Sequence, residues 1–210
     1  MPNLPEIALE RLVLRRMNMG DAGDVFEYAR DPEVARFTVW DAHRSIDDSR
    51  AFLTSVIRGY ARREVAAWGV VHRAEGRLIG TCGYNGWSRV HCRAELGYAF
   101  GRRFWNQGLA TEAVGALIAF GFNRLDFNRI EGFCVRENLP SARVMEKAGM
   151  IYEGLLRQSC FAKGAYRDLK MYSILREDYS PNPTPPWEGC GRAPIRTPSD
   201  RLGIGDGMSS

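Results

Sequence analysis

Long apolar runs are absent from this chain. No segment approaches the ~20 consecutive apolar residues that a membrane-crossing helix needs. The start, Met1-Pro2-Asn3-Leu4-Pro5-Glu6, lacks the basic-then-apolar layout of a secretory leader. A cytoplasmic protein with no membrane partner is therefore expected. Paired cysteines are absent as well. Cys82, Cys92, Cys134, Cys160 and Cys190 form no C-x-x-C and no zinc-type spacing, and their odd number fits reduced thiols. The three histidines show no motif that pairs one with a catalytic cysteine, so a cysteine nucleophile is not favoured and no metal is expected. No basic run interleaved with aromatics occurs, so the mild net charge of +4 does not point to direct nucleic-acid binding. G-x-S-x-G, G-x-x-x-x-G-K-[ST] and a G-x-G-x-x-G opening a βαβ unit are all missing, which excludes three common routes to acyl or nucleotide chemistry.

What remains is an ordinary globular composition, 45% hydrophobic and 26% charged over 210 residues, enough for one domain with a short extension. We expect a domain over 1–180. From Pro181 the composition turns to Pro, Gly, Ser and Arg, and 181–210 is expected to be a mobile tail because it cannot bury enough surface to offset chain entropy. Leu9 to Arg15 alternates as a strand, and Asp21 offers an N-cap for a helix to about Ala29. Asp31 to Phe37 reads as a short helical turn. Ser45 and Asp48 make a near capping box for a helix over Ile46 to Arg63. Ala67 to Val71 and Leu78 to Tyr84 read as strands about a turn at Ala74-Glu75-Gly76, and His91 to Phe100 is the next strand. Arg129 to Val135 is another, and Tyr152 to Lys163 with Tyr166 to Leu175 form a hairpin around Gly164. Cys82 and Cys134 lie in apolar strand-like runs, as small core residues do.

Two segments carry chemistry. Trp105-Asn106-Gln107-Gly108-Leu109-Ala110-Thr111-Glu112-Ala113 lies between the strand ending at Phe100 and an apolar helical run from Ala113 to Phe122. Small residues at the mouth of a helix leave backbone N–H groups uncrowded at the positive end of its dipole, where a pyrophosphate is stabilised. Plain turn chemistry is the alternative. The second segment, Phe133 to Met150, reads as strand, break, short helix and glycine cap. Asn138 and Ser141 flank the helix start, Pro140 sits in its first turn and Gly149 just past its end. Helix capping alone is the bland account of Asn138 and Ser141.

Taken together, these segments resemble the GNAT superfamily of acetyl-CoA-dependent N-acyltransferases. Within it, the likeness is to the branch containing ribosomal-protein N-terminal acetyltransferases. The signature Q/R-x-x-G-x-G/A falls on Trp105 to Ala110, with Trp at its first position as in the branch's W-x-x-G-x-A-T-E-A form. Asn138, Ser141, Lys147, Gly149 and Met150 match N-x-x-S-x-x-x-x-x-K-x-G-M/F. Leu9 to Arg15 echoes the branch's opening and Gly164 to Tyr172 its closing G-x-Y-x-D-x-x-x-Y. The resemblance runs from about Leu9 to Tyr179.

The resemblance implies an α/β (α+β) fold: a mixed, mostly antiparallel central sheet of six or seven strands, with helices on both faces. It implies acetyl-CoA as cosubstrate, bound by Tyr98, Ala99 and Phe100 through their main chain beside a splayed strand. Arg103 is counted with them, and the stretch Asn106, Gln107, Gly108, Leu109, Ala110 and Thr111 would hold the pyrophosphate. Asn138 would contact the pantetheine or phosphate region, and Ser141 would lie near the sulfur. Direct attack by an amine needs a proton acceptor and a donor for the departing thiolate. Glu95 is the candidate acceptor, with a strand-edge carboxylate paired to Arg93 as the alternative. Ser141 is the candidate donor, while Glu112 serves the first helical turn. Trp40, Trp87 and Phe161 line an acceptor pocket or belong to the core. The leading acceptor is a protein N-terminal amine of ribosomal-protein type. A polyamine, an amino acid or an aminoglycoside is the alternative within the same chemistry, and a non-catalytic acyl-CoA-binding module the alternative from another class. A monomer or homodimer is expected.

Overall fold

The computed structural model describes residues 4–62 and 66–179. The expected tail at 181–210 and Cys190 lie outside the described residues. One eight-stranded sheet organises the chain. Its strands are β1 (Ile7–Ala8), β2 (Leu12–Arg15), β3 (Ala66–His72), β4 (Arg77–Ser88), β5 (Arg93–Phe100), β6 (Arg129–Val135), β7 (Ile151–Ala162) and β8 (Ala165–Leu175). They lie in the order β1-β2-β3-β4-β5-β6-β8-β7. Every neighbouring pair is antiparallel except β5 and β6, which run parallel. The count exceeds the expected six or seven by one short edge strand. The Leu9 N–H donates to the Leu12 carbonyl at 2.8 Å, turning the chain so that Ile7–Ala8 pairs beside β2. No alternation is legible over two residues.

The helices are α1 (Ala22–Ala29), α2 (Pro32–Ala35), α3 (Ile46–Arg62), α4 (Leu109–Arg124) and α5 (Leu139–Lys147). Strand alternation sorts them onto two faces. Trp68, Cys82 and Tyr98 share one face by register. There Trp68 packs edge-on against Phe120 of α4 at 5.4 Å, and the Tyr84 hydroxyl donates to the Leu117 carbonyl at 2.5 Å. On the other face, Tyr28 of α1 hydrogen-bonds Thr81, and the Tyr60 hydroxyl of α3 donates to the Ala67 carbonyl at 2.7 Å. The fully buried core spans both layers, with Trp68, Leu12, Leu14, Leu53, Leu117 and Ile130 at its centre. No helix among the described residues is long and apolar enough to cross a membrane.

Several ends differ from expectation for identifiable reasons. Asp21 precedes α1 but makes no side-chain cap, because its carboxylate pairs with Arg15 at 2.7 Å and accepts from the Asn18 N–H at 2.8 Å. Helix α4 opens at Leu109, four residues before the apolar run that begins at Ala113. Its first backbone bond runs from Glu112 N–H to the Gly108 carbonyl, which a left-handed Gly108 (φ 76°) turns into line. At Gly149 expectation and structure agree. Its φ is 87°, and the bonds Gly149 N–H to Glu146 O and Met150 N–H to Met145 O close α5 in a Schellman motif. Lys163 and Gly164, both at positive φ, make the two-residue turn of the β7–β8 hairpin.

Candidate active site

The parallel pair β5–β6 is where the sheet opens. Register runs from Arg93↔Arg129 to Leu96↔Gly132 and stops, although β5 continues to Phe100 and β6 to Val135. The two strands therefore part. Gly97 to Phe100 stay paired to β4 on one side, which leaves their other edge facing the opening. Tyr98 and Phe100 point their side chains to the α4 face, Phe100 into the core, so only main-chain groups are offered at that edge. Ala99 points the other way, opposite Thr81.

Across the opening stands the start of α5. The Asn138 side chain accepts from the Ser141 N–H at 3.2 Å and is the helix cap. That leaves the Ser141 hydroxyl out of the capping. It lies 2.9 Å from the Tyr98 hydroxyl, which is also 3.0 Å from the Ser141 carbonyl. Burial pushes the Tyr98 phenol far above its usual range, against a smaller lowering by its bond to Ser141. It stays protonated at any working pH and acts as a donor. Further along β6, burial pushes the Cys134 thiol up to about 11, which makes it an inert core residue beside the opening.

Between β5 and α4 the chain makes a tight loop. After a 3₁₀ turn at Arg102–Phe104, Asn106 (φ 59°) and Gly108 (φ 76°) both adopt the left-handed conformation. Among the described residues, the N–H groups of Asn106, Gln107, Gly108, Leu109, Ala110 and Thr111 meet no protein acceptor. A row of free donors at the positive end of a sixteen-residue helix is an anion cradle. Side chains build the scaffold instead of filling the cradle. Trp105 Nε1 donates to the Phe100 carbonyl at 2.7 Å, and Gln107 Nε2 to the Arg103 carbonyl at 2.9 Å. The Leu109 side chain is buried in the core. Arg103 is turned away, its guanidinium 3.0 Å from Glu75.

Arg11 belongs to this scaffold and was not among the sequence-derived site residues. From the turn before β2 its Nε donates to Glu112 at 2.7 Å, its N–H to the same carboxylate at 3.0 Å, and its Nη1 to the Gln107 carbonyl at 2.8 Å. Glu112, in the first turn of α4, is thereby bound to Arg11. Nothing local in the sequence marks a pair separated by 101 positions.

Glu95 lies three residues before Tyr98 and so faces the opposite side of the sheet, with α1 and α3. It accepts from Asn85 Nδ2 at 3.2 Å. Arg93 instead lies 3.6 Å from Glu131, which Arg129 also holds at 2.7 Å, so the alternative pairing of Glu95 with Arg93 does not form. On the same side, Lys163 at the hairpin tip donates to the Ala35 carbonyl at 2.5 Å, bringing the far end of β7–β8 to α2. Trp40 and Trp87 pack against the core, while Phe161 stands exposed against Tyr166.

The sequence and the fold both have counterparts among known proteins. Residues 11–151 match the model of the Acetyltransferase (GNAT) domain. The chain belongs to the GNAT acetyltransferase family. It is 35% identical over 175 residues to an uncharacterized N-acetyltransferase of Bacillus licheniformis, covering 81% of this chain and 96% of that one. A ribosomal-protein-serine acetyltransferase of Escherichia coli is 31% identical over 99 residues, 47% of this chain and 55% of its own. A solved GNAT-family acetyltransferase from Bacillus anthracis superposes with a TM-score of 0.74 at 29% identity, over 82% of this chain and 99% of its own.

This acetyltransferase uses acetyl-CoA, an activated thioester carrying a pyrophosphate. The chain's own features fit that group: the unmet N–H groups suit the pyrophosphate, and the edge of β5 that faces the opening suits the amide-bearing arm. Arg11 makes the fit testable. Arg11→Ala should leave the fold intact but weaken acetyl-CoA binding about tenfold, because the loop loses one carbonyl anchor and the Glu112 clamp together. Calorimetry at constant salt measures this; an unchanged affinity would mean the loop holds its shape unaided.

Proposed function

We propose that this acetyltransferase acylates a protein N-terminal α-amine by direct attack. The observation that carries the reading is that Glu95 and Ser141 lie on opposite faces of the sheet, beside the point where β5 and β6 part. Glu95, on the α1/α3 face, takes the proton of the incoming ammonium, directly or through a water. Ser141, on the α5 side, donates to the departing sulfur. A thiolate is a weak base, with a thiol reference near ~8.5, so a hydrogen bond from the Ser141 hydroxyl, itself backed by Tyr98, eases its departure with no full proton transfer from the serine. The N–H groups of Asn106 to Thr111 bind the pyrophosphate, and the main chain of Tyr98 to Phe100 holds the arm. Holding both reactants in line accounts for much of the acceleration, since effective molarities reach roughly 10⁵ M or more.

Support for a protein N-terminus comes from the branch motif and from the relative that acts on a ribosomal protein. It comes also from charge. A polyamine pocket needs free carboxylates, yet Asp47 is paired with Arg50 at 2.8 Å and Asp48 accepts from the Arg44 and Ser45 N–H groups. Two of the three members of the Asp41, Asp47, Asp48 cluster thus serve the start of α3. A thiol-release assay with acetyl-CoA against N-terminal peptides, polyamines and aminoglycosides tests the reading. Peptides beginning with Ser or Ala should turn over fastest; faster turnover of spermidine than of any peptide would overturn it.

A further inference from the structure

We propose that Asn85 is a positioning residue that aims the Glu95 carboxylate. This rests on Glu95 being the proton acceptor, and it adds the device that sets that carboxylate in place. The register of β4 against β5 runs Gly83↔Gly97, Tyr84↔Leu96, then Gly86↔Glu95, so Asn85 is an extra residue in β4. A bulge of this kind re-aims a side chain without ending the pairing. The displaced Asn85 side chain lies over Gly97 and donates its Nδ2 proton to Glu95 Oε1 at 3.2 Å.

The two glycines make this geometry possible. A Cβ built on Gly97 would stand 2.4 Å from Asn85 Nδ2 and 2.9 Å from its Oδ1, and its three closest contacts are all atoms of that one side chain. Glycine inside a strand, where it packs nothing, marks just such a close approach. Gly86, the residue opposite Glu95, has the reverse property: a Cβ there would meet nothing within 4 Å, so the ground beside the carboxylate is open. Asn85 therefore holds one oxygen of Glu95 from the side, while the space across from it stays clear for an amine. The remaining charged groups on this face of β5 and β6 are Arg93, Arg129 and Glu131, and they bind one another. Among the described residues no cation lies within ion-pair distance of Glu95, which leaves Asn85 as the side chain that fixes it.

Steady-state kinetics on four variants test this, with an N-terminal peptide as acceptor and melting temperature as a check on folding. Asn85→Ala should lower kcat on the order of tenfold, toward the roughly 10²-fold that a misplacement of ~1 Å can cost, with the KM for acetyl-CoA unchanged. The deficit should shrink as pH rises past the amine's own value, about 7.7–8.0, because the acceptor then arrives neutral. Gly97→Ala should give the same loss by pushing Asn85 aside. The double variant Asn85→Ala/Gly97→Ala should be no worse than Asn85→Ala alone, since the added methyl then displaces nothing. Glu95→Gln should show a larger deficit with the same recovery at high pH. Normal turnover in Glu95→Gln would remove the proton-acceptor reading itself. An impaired Glu95→Gln beside a normal Asn85→Ala would leave that reading standing and overturn the positioning role. Additive losses in the double variant would show that Gly97 is needed for something other than Asn85.

Discussion

Replacing Gly108 with glutamate is expected to abolish acetyl-CoA binding while leaving the fold in place. Gly108 sits at φ 76° immediately before α4 with no side-chain cap, and its carbonyl starts the helix. A side chain there is held in the left-handed conformation at a cost of about 1–2 kcal/mol. That strain should lower the melting temperature by only a few degrees in a protein of this size. The larger effect is electrostatic. A carboxylate among the free N–H groups of Asn106 to Thr111 fills the place of an anion and repels the pyrophosphate, at about 4 kcal/mol per charge pair ~4 Å apart near a protein surface. It would also stand beside Arg11, whose Nη2 is 3.5 Å from the position of the new Cβ, and compete with Glu112 for it. Isothermal calorimetry should find no binding at concentrations that saturate the unaltered protein. Gly108→Ala carries the backbone strain without the charge and should bind measurably, if more weakly. Unchanged affinity in Gly108→Glu would mean that the phosphates are held elsewhere.

Which parts of this site were legible in the sequence follows from how local each signal is. The loop Trp105 to Ala113 and the helix start at Asn138 are short continuous segments, and their glycine, cap and small-residue signals act within a few residues. The parting of β5 and β6 was reached through the family resemblance alone. It depends on where a parallel register stops, at Leu96↔Gly132, and no periodicity encodes that. Arg11–Glu112 and Lys163–Ala35 are contacts across 101 and 128 positions, set only by the closed sheet. The bulge at Asn85 escaped for another reason. Asn85 and Gly86 look like turn residues ending a strand at Tyr84, whereas the ladder absorbs the extra residue and carries β4 on to Ser88. Arg93 as a partner for Glu95 was reasonable from spacing. Glu131 won it because the parallel strand sets a second carboxylate on the same face, where Arg129 and Arg93 both reach it.

In the proposed reaction the two faces of the opening divide the chemistry, and that division decides how Ser141 should respond to mutation. Two roles compete for this residue: donor to the sulfur, or helix cap. In the structure the cap is Asn138, whose side chain accepts from the Ser141 main chain; the Ser141 hydroxyl turns instead to Tyr98. Removing the hydroxyl therefore costs α5 little, whereas Asn138→Ala should cost about 1 kcal/mol of stability. Tyr98 carries a single proton, and burial keeps it there. When that proton is given to the Ser141 oxygen, the serine's own proton is free to face the sulfur. A donor to developing thiolate charge acts on the transition state and scarcely on the bound thioester. Ser141→Ala should accordingly lower kcat by roughly 10²-fold, with the acetyl-CoA dissociation constant and the melting temperature nearly unchanged. Tyr98→Phe should give a smaller loss of kcat, because the serine keeps its proton but loses its backing donor. Rapid-quench measurement of the chemical step, beside calorimetry and thermal melting on the same two variants, separates these outcomes. Normal turnover in Ser141→Ala would leave Tyr98–Ser141 as a structural strut between β5 and α5, and the thiolate would depart without help from this helix.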